Sequence, residues 1–188
     1  MNLQQRIAEL DRQISGLLRG NVPVAARADG VEVTTDSSPV GRAMRVILSE
    51  LRKEVPYDSC SAQELRGARL VIIGGVGFAD LDVILGESFE VDNIDIPNGE
   101  VIHRRRPLIV ADTEQYRAFR RGLHVGAGIR SWLGVPMLDA GRCIGMLALD
   151  KAEADFYTHE HAQTAMAFGS LAARALTAAG EGEEEEYA

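Results

Sequence analysis

The sequence predicts an α+β domain, because two hairpin-like segments are flanked by two helical stretches. Tyr57 to Leu65 and Arg69 to Val76 are strand-like runs around an Arg66-Gly67-Ala68 turn. Ser131 to Leu138 and Arg142 to Asp150 are two more, joined by Asp139-Ala140-Gly141. Ahead of the first pair, Val40, Met44, Ile47, Leu48, Leu51 and Val55 form one apolar stripe at helical spacing, and an Ala-rich helical stretch follows the second pair. A chain of 188 residues with 46% hydrophobic content suits one domain with a real core.

Taken in order, the first element is an amphipathic or coiled-coil helix over residues 1–20. Leu3, Ile7, Leu10, Ile14 and Leu17 alternate spacings of four and three, which averages the 3.5-residue period of a coiled-coil seam. Ile7 and Ile14 then fall at a positions and the leucines at d, with Arg6 and Asp11 placed for an attraction between chains. The same stripe equally suits a helix packed on its own domain, since barely two heptads are marginal alone. Gly20, Asn21 and Pro23 end it. Residues 21–37 read as a connector, with an extended piece at Val31 to Thr34. Ser38 as N-cap and Pro39 at the first helical position open the second helix, and Pro56 closes it.

Past the first hairpin, Gly74, Gly75 and Gly77 read as turn glycines. They form neither a dinucleotide fingerprint nor a Walker loop. Phe78 to Ile96 reads as a long loop with a short strand. Pro97 starts a short helix to about Arg105, whose basic last turn suits the negative end of the dipole. Leu108 to Ala111 is a short strand, Glu114 to Arg121 a short helix, and Gly122 to Gly128 a flexible loop. After the second hairpin, Thr158 caps a long helix with Glu160 in its first turn. This helix is expected to stop at Gly180, leaving 179–188 as an acidic disordered tail. Its apolar residues, including Phe168, Leu171, Ala175 and Leu176, cover more than one face, so it needs a second buried contact besides the sheet.

The net charge is -8, but Glu181 and Glu183 to Glu186 lie in the tail, so the remainder is mildly acidic. Such a surface has no general attraction for nucleic acid or an anionic membrane. No apolar run reaches the ~20 residues a membrane span needs. Cys60 and Cys143 follow no metal-ligand spacing, and so little cysteine suits a reduced, cytoplasmic setting.

Several motifs, in this order, carry a resemblance. Tyr57-Asp58-Ser59-Cys60-Ser61 opens the first strand, and Arg105-Arg106-Pro107-Leu108-Ile109-Val110-Ala111-Asp112 precedes the 113–130 loop. Ser131-Trp132-Leu133-Gly134-Val135-Pro136-Met137 is followed by Arg142-Cys143-Ile144-Gly145-Met146-Leu147, by Asp150-Lys151, and by Phe156-Tyr157-Thr158-x-Glu160. Together they resemble a GAF domain over residues 38–178, of the kind found in bacterial signalling proteins such as sensor histidine kinases. The resemblance implies an antiparallel sheet of five or six strands, with the terminal helices on one face and a small-molecule pocket on the other. It also implies a homodimer through those helices, here through Leu3, Ile7, Leu10, Ile14, Leu17, Leu171 and Ala175. The expected role is a regulatory module rather than an enzyme, sensing an unknown small molecule and acting on an output domain or partner kinase. A dimerisation-only module and a cysteine-dependent methionine sulfoxide reductase are the alternatives.

The residues do not support the family's better-known ligands. Asn98 is followed by Gly99 and Phe119 by no Asp-Glu pair, so the cyclic-nucleotide signature is missing. Leu123 stands before His124 where a bilin-binding member often has Cys. For haem, only His124 is placed to ligate; His103, His159 and His161 are not. Cys60 and Cys143 sit inside strands, where an inert packing role suffices. Arg104, Arg105, Arg106, Arg117, Arg120, Arg121 and Arg130 are read either as an anion-binding mouth or, more simply, as helix-end and surface arginines. Candidate ligand-binding residues are Phe78, Ile102, Tyr116, Phe119, His124, Arg130 and Trp132. No metal site is expected.

Overall fold

The computed structural model describes residues 2–19, 38–119 and 128–186, with side chains described as far as 179. In chain order the elements are α1 (Leu3–Leu18), α2 (Pro39–Glu54), β1 (Ser59–Arg66), β2 (Arg69–Val76), α3 (Leu81–Ile84), β3 (Ser88–Glu90), α4 (Pro97–Arg104), β4 (Leu108–Val110), β5 (Ser131–Asp139), β6 (Arg142–Lys151) and α5 (His159–Glu186). The strands form one antiparallel sheet in the order β3-β2-β1-β6-β5-β4, so the two sequence hairpins meet where β1 pairs with β6. The expected α+β class is observed, and of the five or six strands expected the sheet has six.

Local chemistry explains the joins. Ala140 and Gly141 both take positive φ, 47° and 80°, as a two-residue hairpin turn that matches strand twist requires. Gly77 leaves β2 at φ 88°, and a Cβ there would lie 2.0 Å from the Asp58 carbonyl oxygen. That position therefore needs glycine for both conformation and space. Ser38 Oγ accepts from the Gly41 amide at 2.9 Å. Thr158 Oγ1 accepts from the His161 amide at 3.2 Å, and His161 Nδ1 answers by accepting from the Thr158 amide at 3.3 Å. His161 thus takes the place that Glu or Gln fills in the usual reciprocal cap. Thr158→Ala is expected to cost about 1 kcal/mol, read as a lower denaturant midpoint with an unchanged m-value. An unchanged midpoint would mean this end of α5 is held by packing alone.

Alternation divides the sheet into two faces. Cys60 and Ala62 of β1, Leu133, Val135 and Met137 of β5, and Leu147 and Leu149 of β6 join α2 and α5 in the main core. α1 packs on α2 and α5. The second buried face of α5 is thereby accounted for within the chain. Leu10, Ile14, Leu17, Leu171 and Ala175, expected at a dimer interface, are buried inside the single chain, while Leu3 and Ile7 are half-buried against the same core. Arg6 pairs with Glu50 and Glu54 of α2, and Asp11 pairs with Arg174 of α5 at 3.2 Å, rather than with each other across chains. The seam periodicity is satisfied by intrachain helices because α2 and α5 offer it an apolar groove without any second copy.

Three further expectations are corrected. Residues 113–118 form successive turns, not a helix: Asp112 Oδ1 accepts from the Glu114 amide at 3.0 Å, and the Gln115 amide donates to the Asp112 carbonyl at 3.1 Å. A side chain that captures its own downstream amides competes with helix formation. The 78–96 stretch contains the expected strand, β3, and also the four-residue α3, too short for periodicity to signal. α5 runs on through Gly180 and Gly182 to Glu186, because each glycine costs only about 1 kcal/mol in a helix and glutamate is a good helix former. The connector 21–37 and His124 lie outside the described residues. Among the described residues, no helix is long and apolar enough to cross a membrane.

Candidate functional site

The chain between β2 and β5 folds over the sheet face opposite the helices. Under it, Leu70, Val91, Val101, Ile102, Val110, Trp132, Met146 and Ala148 make a second, smaller core. Beside this core a cavity of about 480 Å³ remains open between sheet and cap. Its floor comes from four strands: Ser61 and Gln63 of β1, Arg69 and Ile72 of β2, Ala148 and Asp150 of β6, and Trp132 of β5. Its roof includes Phe78, Phe89, Pro97, Asn98 and Phe119.

The floor is polar where a sheet face is normally apolar. Asp150 is only 7% exposed, and Oδ2 accepts from Ser59 Oγ at 2.7 Å. Burial, which penalises the ionised form, pushes its pKa up to about 7 despite that hydrogen bond, and the nearby Asp58 charge adds to the rise. Asn98 Nδ2 donates to Gln63 Oε1 at 3.2 Å, and Gln63 Nε2 donates to Ser61 Oγ at 2.9 Å. This relay ties the cap helix α4 to the sheet. Trp132 lies over Gly134, where a Cβ would come 2.3 Å from the indole ring, so the missing side chain makes the niche for the ring. Phe119 meets Trp132 edge-on, with centroids 6.2 Å apart.

Of the expected ligand residues, the cavity brings together Phe78, Phe119 and Trp132. Ile102, Tyr116 and Arg130 do not line it. Ile102 is buried in the smaller core, and half-buried Tyr116 donates to Glu100 at 3.5 Å. Arg130 makes a two-pronged pair with Asp112, at 3.2 and 3.0 Å, while Thr113 Oγ1 donates to the Ile129 carbonyl at 2.6 Å. These contacts staple together the two ends of the 113–130 segment. The Arg130 guanidinium and the Glu114 amide hold the Asp112 carboxyl down at about 2.

Of the arginines read as a mouth, Arg104, Arg105, Arg106, Arg117 and Arg130 do not line the cavity, and Arg120 and Arg121 lie outside the described residues. Arg104 pairs with Glu100, Arg105 donates to the Gly141 carbonyl, and Arg117 is exposed outside the lining. The one arginine in the lining, Arg69, is spent on Glu90 at 3.1 Å and Ser88. Burial pushes both thiols up, Cys60 inside the main core and Cys143 more modestly beside the smaller one. His103 Nε2 donates to the Val91 carbonyl at 2.8 Å, which fastens the cap. Among the described residues, no group of three or more His, Cys, Asp or Glu side chains could hold a metal ion.

Sequence reasoning overlooked Ser61, Gln63, Asn98 and Asp150. A signal for two of them existed: Ser59, Ser61 and Gln63 repeat at period two with Cys60 and Ala62 between them, which marks one polar face.

Sheet, helical layer and cap define an α+β domain with a cavity between sheet and cap. Matching against protein-family models assigns residues 39–176 to the GAF domain, and the chain belongs to that family. GAF domains are in general regulatory or sensory modules of signalling proteins. No match is found among curated protein sequences. Among solved structures the chain is similar to the GAF domain of a phosphoenolpyruvate-protein phosphotransferase from Coxiella burnetii. That match has 19% identity and a TM-score of 0.68, covering 97% of this chain and 99% of that one. The corresponding domain from Acinetobacter matches at 12% identity and TM-score 0.67, covering 95% and 98%. Free methionine-R-sulfoxide reductase from Neisseria meningitidis, in complex with its substrate, matches at 14% identity and TM-score 0.64, covering 97% and 95%. At these identities the likeness establishes the fold.

Proposed function

We propose that this domain is the sensory part of a cytoplasmic signalling protein, binding a small ligand between sheet and cap. The cavity of about 480 Å³ with a buried carboxylate in its floor carries the reading. A dimerisation-only module would have no use for such a space. A ligand there touches both the cap, through Phe78, Asn98 and Phe119, and the sheet, through Ser61, Trp132 and Asp150. It therefore favours one cap-to-sheet arrangement over others, and the helices packed on the other sheet face register the difference. The output passes through a homodimer to an attached domain or a partner kinase of the sensor type. Leu3, Ile7 and Leu18 of α1 keep part of their surface open for such a contact. The role is regulatory rather than catalytic, with no cofactor, since buried thiols pushed up by desolvation are poor nucleophiles.

Native mass spectrometry of the purified protein is expected to give a dimer mass with retained ligand; a monomer mass would sink the homodimer. Ala148 is buried at the centre of the floor, so Ala148→Leu fills the cavity. In a metabolite thermal-shift screen, a compound that stabilises the wild type is expected to lose its effect on this variant. An equal shift in both proteins would place binding elsewhere.

A further inference from the structure

The charges around the cavity restrict what enters it. Four lining residues are charged: Arg69, Glu90, Asp92 and Asp150. Arg69 and Glu90 neutralise each other at 3.1 Å, which leaves Asp92 exposed at the mouth and Asp150 buried in the floor. Lys151 and Arg130 are engaged too, with Asp58 at 2.8 Å and with Asp112 respectively. Among the described residues Asp150 therefore has no cationic partner, and its Oδ1 has no hydrogen-bond partner. A buried carboxylate in that condition is costly unless something pairs with it.

We propose that the cavity takes an amine: a compact ammonium group on a small apolar or aromatic body, seated against Asp150. This deepens the ligand-binding reading above and rests on it. An ammonium suits the floor because its three rotatable donors can reach Asp150 Oδ1 and a neighbouring acceptor without the fixed planar fork of a guanidinium. Ser61 Oγ and Gln63 Oε1 offer further acceptors on the same sheet face. Trp132 pairs directly across the strands with Asp150, so the indole stands beside the bound charge. Cation–π attraction and apolar contact with Phe78 and Phe119 then serve the rest of the molecule. The same charges repel a phosphate or carboxylate ligand.

Other titratable groups around Asp150 hold their state near neutrality. Asp58 is held below the usual carboxylate range by Lys151 and the Ala152 amide, which outweigh burial. Cys60 and Tyr157 are pushed up by burial and stay protonated. Across the cavity, Arg69 and Glu90 pair with each other and Asp92 stands at the mouth. Asp150 gains its charge as pH passes upward through about 7, so amine affinity rises over that range.

The chain has a single tryptophan, so Trp132 fluorescence reports the cavity directly. The test titrates benzylamine, benzyl alcohol and benzoate, three probes of one shape and different charge, on either side of that pH. Benzylamine is expected to bind at least about tenfold more tightly than benzoate above neutrality. That preference should shrink below neutrality and vanish in Asp150→Asn. The pH series needs no variant, so the test stands even where Asp150→Asn folds poorly. Benzoate or benzyl alcohol matching benzylamine would overturn the amine assignment and leave ligand binding intact. A Trp132 signal that none of the three moves also overturns it. Ligand binding itself falls only if native mass spectrometry and the metabolite screen are blank as well.

Discussion

Phe168→Ala is expected to lower the unfolding free energy by about 3–5 kcal/mol, whereas Phe78→Ala costs less than about 2 kcal/mol. Both residues are phenylalanines, but they face opposite sides of one sheet. Phe168 is fully buried where α5 meets α2 and the sheet, among Leu51, Tyr57, Val135 and Leu147. Its ring has close-packed neighbours on every side, and removing it leaves a hole that α2 cannot close. Tyr57 holds that helix in place by donating to the Leu48 carbonyl at 2.6 Å. Phe78 roofs an existing cavity and is only half-buried, so its loss enlarges a space already open. Urea unfolding of the two variants compares the faces directly. Similar losses would mean that the cap side is packed as tightly as the helix side, and the cavity would lose its standing as a site.

Asp150→Asn should be more stable than the wild type above neutrality, by up to about 4 kcal/mol. The Asp150 pKa is raised from an ordinary 3.8 to about 7 by burial. Between those values the folded protein keeps a proton that the unfolded chain releases, so the folded state is progressively disfavoured as pH rises. Above about 7 both states are ionised and the loss is complete. Asparagine keeps a carbonyl oxygen for Ser59 Oγ and never charges. Urea unfolding at a series of pH values is expected to show a falling contribution in the wild type that Asn abolishes. Asp112, held low by Arg130, titrates at much lower pH in both proteins and cancels in the comparison. Parallel curves for the two proteins would show that Asp150 ionises freely, without a buried cost. A bound amine would repay that same cost, so stability above neutrality and amine affinity report on one carboxylate.

Much of the scaffold was legible from local chemistry. Ser38 and Pro39, Pro97, and Thr158 start helices because each settles backbone groups or dihedrals within a few residues. The Asp139-Ala140-Gly141 and Arg66-Gly67-Ala68 turns set hairpins for the same reason. Of the candidate ligand residues, Phe78, Phe119 and Trp132 line the cavity, since large aromatics beside the cap have few other places to go. Arg130 and Tyr116 were misplaced, because whether a polar side chain faces a cavity or staples a loop depends on a partner distant in sequence.

The sequence by itself determined the α+β class, the two hairpins, the cap positions of α2, α4 and α5, and the placing of the two thiols within strands. Turns, caps and period-two or helical stripes act over a handful of residues, and the chain carries them wherever it folds. Only the tertiary structure decided that Leu10 and Ile14 are spent within the chain. Only it brought Ser59 to Asp150, and Asn98 through Gln63 to Ser61. Those pairings depend on β1 lying against β6 and on the cap closing over both. Burial of the main core drives that assembly, and it leaves one carboxylate beneath the cap with a single hydroxyl for company.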